Sequence, residues 1–454
     1  MTQGTPDGFE ALKQGAGTFK PNDLTLGEVV ELIRDNVDRQ ELIDLILELC
    51  NIRSLPGFEK DAGDFVYAWM EKEGMAPKRV GMVPDRFNVI GRMGGADPAN
   101  GRNLLFTSHL DTEAPQYNWR DSWKYRPGGA VCDPGWIRAE LKDGVFLGHP
   151  VENDRGPMAC FLIGAKALKK AGLTLNGHLY LTACPAEIGP EHVEEFQGPI
   201  YHGKEIGAQY MMTHGGVAPD FAVAAEGTDF GISWVACGYA NYRIDIYGED
   251  VFTPLLTHPP RLKDHPSALV LVAPLIEAVQ RWAAEYEERH VYRDAGGTAV
   301  PKAQIIAIRG GDPHIMGGGS EVCSLYLEVG LTPAQAIADV QRELEAVLAE
   351  ERFEGKVEPI VYRQGFAAEE GKVRPLADAF DAAGRSSGKG ALELGHSVYS
   401  SMWRDHNVFN MFGIPAATYG PRRFKPTVDD MADAAVIYAA AAWLVCNGIR
   451  EGIE

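Results

Sequence analysis

Four short apolar runs, each ending directly in polar or acidic residues, constrain this chain more than any other feature of its sequence. They are NLLFTS (103–108), HLYLTAC (178–184), FAVAA (221–225) and AATY (416–419). Runs this short and this continuously apolar read as strands buried on both faces. Between the first two lies PMACFLIGAKALKKAG, with Pro157 suited to the first helical position and Gly172 to the C′ cap. Upstream, Val29, Val30, Leu32 and Ile33, then Leu42, Ile43, Leu45, Ile46 and Leu49, recur at helical spacing, as do Phe65 and Trp69. Strands alternating with helices predict an α/β fold, a sheet flanked by helices.

A second pattern interrupts the first between 238 and 364. Its order is strand (YANYRIDIYG), helix (SALVLVAPLIEAVQRWAAEY), strand (KAQIIAI), strand (EVCSLYLEV), helix (TPAQAIADVQRELEAVLAE) and strand (VEPIVY). That β-α-β-β-α-β order predicts a self-contained ferredoxin-like unit with a mostly antiparallel sheet. Val322, Ser324, Tyr326 and Glu328 alternate with Cys323, Leu325, Leu327 and Val329, which suits a half-exposed strand, read here as an edge. The division expected is therefore 1–237 with 365–454 as one α/β domain, 1–25 forming an arm, and 238–364 inserted into it.

Composition removes several function classes. The 454 residues leave room for two or three domains. Lys and Arg number 43 against 63 Asp and Glu, a formal charge of −20, which argues against nucleic-acid or anionic-membrane partners. The longest apolar stretch, 434–446, is too short to span a bilayer of roughly 30 Å. The first residues, MTQGTPDGFE, carry no basic and apolar leader pattern, and the seven cysteines are scattered without a CxxC pair. A cytoplasmic protein with free, buried thiols is the expectation.

Ligand sites gather where the strands of an open α/β sheet end. The first run leads into His109, Leu110 and Asp111, the second into Pro185, Ala186 and Glu187, the third into Glu226, and the fourth into Gly420, Pro421 and Arg422. An imidazole and carboxylates at one sheet edge suit Zn²⁺ or Mn²⁺. In His-x-Asp, the Asp can hydrogen-bond the other ring nitrogen and fix the tautomer of a metal-bound His. Each piece alone has a structural reading: a polar strand end, a capping carboxylate at Glu226, or Glu187 paired with an Arg.

Taken in order, these segments resemble the metallopeptidase and amidohydrolase family of aminoacylase, acetylornithine deacetylase, succinyl-diaminopimelate desuccinylase and the carboxypeptidase G enzymes. The likeness runs through SHLDT (108–112), DGVFLGHPVENDRGPMA (143–159), PAEIG (185–189), PDFAVAAEGT (219–228) and FGIPAATYGPRRFKPTVDDM (412–431), spanning roughly residues 30–450. The resemblance implies a metallopeptidase-type catalytic domain, with the inserted unit as a lid and dimerisation domain. It implies a divalent cofactor, zinc or manganese, one or two ions per chain, and a homodimer or higher oligomer in which a partner covers the 322–329 edge. Residue by residue, His109 matches the first ligand, Asp111 its supporting carboxylate, Glu226 the acidic ligand of the same ion, and Glu187 the second Glu of the acidic pair. His258, in LLTHPP, lies near the place where the family's lid offers a His to the substrate or to the partner's active site.

Three positions depart from that pattern. Asn153, beside Asp154, stands at the bridging Asp, Ala186 at the general base, and Pro426 at the late His. A neutral amide bridges two dications poorly, so the departures predict a single ion held by His109, Glu226 and Asn153 or Asp154. Proton transfer then falls to Glu187, or to Glu152 or Glu191 if Glu187 is a ligand. His149, His192, His214, His396 and His406 are candidate replacement ligands. Trp119, Arg120, Trp123, Tyr125, Arg126 and Trp136 form a loop suited to walling a pocket or to core or interface packing, and Arg422 or Arg423 to binding an anion or to a solvated surface. The reading that follows is a hydrolase of an amide or other C–N bond in a small molecule. Alternatives are an unusual amine or ring cleavage, or a catalytically silent ligand-binding relative.

Overall fold

The computed structural model describes residues 24–112, 138–314 and 316–448. The arm expected over 1–25 lies outside them except for Leu24 and Thr25, and so does the aromatic loop from Trp119 to Trp136. Two compact units divide the chain. One comprises the residues up to Trp234 with Ala368–Gly395 and those from Val408 onward; the other comprises Val235–Ala367 and His396–Asn407.

The first unit is built on a seven-stranded mixed sheet. Across it the strands run Lys78–Val83, Arg86–Gly94, His178–Cys184, Leu104–His109, Phe221–Ala225, Ala416–Tyr419 and Ile232–Ser233. The four apolar runs of the sequence are its central strands, and they pair in parallel. Their register sets His109 opposite Cys184 and Tyr419 opposite Ala225, so all four end at the same edge of the sheet. Helices cover the sheet because its central strands are buried on both faces. Phe106, on the Leu104–His109 strand, packs 5.9 Å from Phe161 of the helix Gly156–Lys170 and 5.2 Å from Tyr438 of the helix Val428–Cys446.

The helix Leu26–Asn36 starts in a capping box, in which Glu28 N donates to Thr25 Oγ1 and Thr25 N to Glu28 Oε2. The apolar run 434–446 belongs to the helix Val428–Cys446, buried all round as a core helix rather than a membrane span. No helix among the described residues is long and apolar enough to cross a membrane.

The second unit has a four-stranded antiparallel sheet in the order Ala303–Gly310, Val322–Leu331, Gly238–Tyr247 and Gly355–Arg363. The helices Ala268–Arg289 and Ile337–Glu351 pack on it around Leu275, Val279, Leu325, Leu327 and Leu344. The chain follows the expected β-α-β-β-α-β order. Its extent differs from the expected 238–364, because His396–Asn407 also joins it. Cys237 N donates to Ser400 O at 2.9 Å, and Asn407 Nδ2 donates to Cys237 O at 3.0 Å.

The 322–329 segment is not an edge. It pairs with Gly238–Tyr247 on one side and Ala303–Gly310 on the other. Its alternation reflects helices on one face only, and Tyr326, expected outward, is buried with Arg309 stacked 5.4 Å from its ring. The edges are Ala303–Gly310 and Gly355–Arg363.

Candidate functional site

Strand ends of the first unit and the turn Val151–Arg155 carry His109, Asp111, Asp154, Glu187 and Glu226, all buried. His109 is the last residue of its strand. Its Nδ1 lies 2.5 Å from the main-chain carbonyl of Asp111, to which it donates. The Asp111 carboxylate, expected to take that bond, stands 3.6 Å away and accepts instead from the amides of Glu187 (3.1 Å) and Ile188 (2.8 Å). The reason is local. Ala186 adopts left-handed backbone geometry (φ 62°), and the turn brings those two N–H groups onto Asp111. A residue at the position expected for a general base thus serves as a buried turn.

With Nδ1 committed as a donor, the neutral tautomer of His109 would point a lone pair from Nε2 at carboxylate oxygens. Asp154 Oδ2 is 3.3 Å from Nε2 and Glu187 Oε2 is 3.9 Å away. An acceptor facing acceptors in a buried site requires a positive charge between them, supplied by a proton or a cation. Burial pushes the His109 pKa down. The Asp154 hydrogen bond and the charges of Glu187, Asp111 and Asp154 outweigh it and raise the value to about 9. The Asp111 carboxyl is pushed up, chiefly by burial.

Asp154 and Asn153 come from the irregular turn Val151–Arg155, where both leave helical geometry (φ −137° and −138°) and enter the site. The carboxylate beside His109 belongs to Asp154. Asn153 instead places Oδ1 3.4 Å from Arg423 and Nδ2 3.2 Å from His149 Nε2. Arg155 anchors the turn from behind, donating to the carbonyls of Leu49 (2.6 Å), Ile52 (2.7 Å) and Cys50 (3.3 Å). On its other oxygen Asp154 accepts from Gly227 N (3.0 Å) and faces Arg423 (3.4 Å).

Arg423 reaches inward because the loops after two neighbouring strands are stitched together. Thr228 N and Asp229 N donate to Pro421 O, and Arg423 N donates to Asp229 Oδ1. A Cβ at Gly227 would stand 2.8 Å from Arg423 Cα, and one at Gly420 would stand 1.9 Å from the Glu226 carbonyl oxygen, so this approach needs glycine at both positions. Arg422, the neighbouring candidate, is exposed. Lys204, which sequence reasoning missed, is 5% exposed with Nζ 4.0 Å from Glu187 Oε1. It lies in a short polar turn whose composition carries no sign of burial.

The remaining candidates sort by position. Of the five extra histidines, His149 touches the site, its pKa lowered to about 4 chiefly by burial. His192 bonds to Gly198 and His214 stacks on Tyr210, while His396 and His406 belong to the other unit, as does exposed His258. Glu152 accepts from Lys425 N at 2.9 Å. Pro426 uses its carbonyl to accept from Phe146 N.

The donor types fit a divalent ion. Two ligands about 2.0–2.2 Å from one tetrahedral ion lie roughly 3.3–3.5 Å apart, which matches the 3.3 Å separation of His109 Nε2 and Asp154 Oδ2. Among the described residues no three His, Cys, Asp or Glu side chains are already gathered around one point. The fit therefore rests on that pair, with the buried carboxylates of Glu187 and Glu226 at neighbouring strand ends.

Comparison with solved structures places this fold. A tripeptidase from Staphylococcus aureus superposes with a TM-score of 0.63 at 16% identity, over 91% of this chain and all of that one. A Bacillus subtilis dinuclear metal-binding peptidase of the M20 family gives 0.57 at 14% identity, over 90% of this chain and 99% of that one. A hydantoinase/carbamoylase-family amidase from Burkholderia vietnamiensis gives 0.58 at 14% identity, over 91% and 98%. The fold is that of the M20-type peptidases and these amidases. In sequence, the N-formyl-4-amino-5-aminomethyl-2-methylpyrimidine deformylase of Bacillus subtilis is 23% identical over 198 residues, 43% of this chain and 40% of that one. The match thus spans less than half of either protein. No protein-family model matches the chain.

Proposed function

We propose that this chain hydrolyses an amide or other C–N bond of a small molecule with the help of one divalent ion, zinc or manganese. The observation that carries the reading is His109 Nε2, aimed at the carboxylates of Asp154 and Glu187 from a ring whose Nδ1 is already committed. His109 and Asp154 would hold the ion, with Glu226 as the further carboxylate. An ion of this kind supplies Lewis acidity, polarising a carbonyl and acidifying water. Support also comes from the proteins this chain is similar to, which include peptidases, an amidase and a deformylase.

The chain's own groups divide the remaining work. Glu187 accepts the proton of the attacking water at Oε2 and returns it to the departing nitrogen. Lys204, near its other oxygen, keeps that carboxylate in place. Asp111 fixes the turn carrying Glu187 and, through its carbonyl, the tautomer of His109.

Further parts of the reading concern the second unit. His258 is proposed to contact substrate. The Ala303–Gly310 edge, with Ile306 and Ile308 exposed, is the surface proposed to pair with a second copy. Light scattering tests that pairing, and a monomer would refute it. A cytoplasmic location completes the proposal.

The competing reading, a silent relative that binds a ligand without turnover, draws on Ala186 at the general-base position and on the lack of a preformed three-ligand group among the described residues. One experiment separates them. Amine release from N-formyl, N-acyl and dipeptide substrates is followed with zinc or manganese present and after chelation. Chelator-sensitive release supports hydrolysis; inertness with either ion favours the silent relative.

A further inference from the structure

We propose that Arg423 is a built-in cation that occupies one side of the Asp154 carboxylate and limits the cluster to a single divalent ion. This inference rests on the metal-dependent reading above. Asp154 works in two directions: Oδ2 faces His109 at 3.3 Å, while Oδ1 faces Arg423 at 3.4 Å. The second guanidinium nitrogen is 3.4 Å from Asn153 Oδ1, whose amide nitrogen in turn lies 3.2 Å from His149 Nε2. The guanidinium end of Arg423 thus stands among a carboxylate oxygen, an amide oxygen and, one contact further, an imidazole. Those are the donor types a borderline divalent ion takes.

Two features make this a place for an arginine rather than an ion. Asn153 contributes no charge, so a dication there would share the single carboxylate of Asp154 with the ion at His109. A guanidinium carries one charge, never loses it, and offers a planar fork that meets two oxygens at once. The Arg423 side chain is 13% exposed and its main chain is fixed through Asp229 and against Gly227, so the charge is held in place.

Equilibrium dialysis of the full chain against Zn²⁺ alone tests this, comparing wild type with Arg423→Ala and Arg423→Lys and checking each fold by circular dichroism. One zinc per chain is expected in the wild type and in Arg423→Lys, which keeps the charge, and a second, more weakly held zinc besides it in Arg423→Ala. Arg423→Gln repeats the neutralisation with a longer side chain if the alanine variant does not fold. One zinc in wild type and neutral variants alike overturns the role of Arg423 and leaves the metal reading standing. Two in the wild type or in Arg423→Lys also overturns it. No zinc in the wild type overturns the metal reading and this inference with it.

Discussion

His109 and Asp154 stand 3.3 Å apart through Nε2 and Oδ2, at the end of one strand and in the turn before a helix. Asn153, next in the chain, is turned toward Arg423 and His149. The two neighbours should therefore differ sharply on substitution. Asp154→Asn removes a carboxylate from the ion's reach and should lower zinc affinity by more than the roughly 10–100-fold typical of losing a supporting residue. Asn153→Ala should stay within that range. Competition with a chromophoric chelator measures both, and equal losses would contradict the assignment.

Glu187→Gln keeps the shape of the side chain and removes its basicity. Turnover should fall about 10²–10⁴-fold, with KM little changed, as for loss of a general base. Steady-state kinetics on any substrate found by the amine-release screen provides the check. Undiminished kcat would move the proton-transfer role elsewhere.

Arg155 is buried and donates to three main-chain carbonyls of the segment around Cys50. Arg155→Met leaves the carbonyls of Cys50 and Ile52 without it, while Leu49 O keeps the amide of Ile52. Unsatisfied buried groups cost about 1–3 kcal/mol each, so urea denaturation should show a loss of roughly 2 kcal/mol or more. A change under about 0.5 kcal/mol would mean water replaces the guanidinium.

His406, in the second unit, has its pKa lowered from 6.5 to about 3, chiefly by burial and then by Arg404. The folded state keeps this ring neutral while the unfolded chain protonates it below pH 6.5. Its contribution is thus complete above pH 6.5 and is lost as pH falls toward 3, at up to about 1.4 kcal/mol per pH unit. His406→Asn should flatten the pH dependence of stability in that window, read by denaturant melts from pH 7 to 4. An unchanged slope would refute it.

How much of this was legible in the sequence depended on whether the signal was local. The four central strands could be read because burial on both faces leaves continuous apolar runs, and three of them match residue for residue. The helix after the site turn starts at Gly156, placing Pro157 one residue further in than expected. Strand order is a tertiary property, which is why 322–329 was read as an edge and proved internal. The same limit hid the division of labour between Asn153 and Asp154, since adjacent residues in an irregular turn give no sign of which one faces His109. Lys204 was missed because the polar residues around it give no sign that it is buried. Arg423 could be named only together with Arg422, because stitching between two loops decides which guanidinium turns inward.

The most direct measurement is an anomalous difference map from a crystal of the full chain grown with zinc and collected at the zinc edge. If the strand-edge cluster holds the ion as proposed, one peak lies between His109 Nε2 and Asp154 Oδ2, about 2.0–2.2 Å from each. No peak there, in crystals of protein that hydrolyses its substrate, would contradict it.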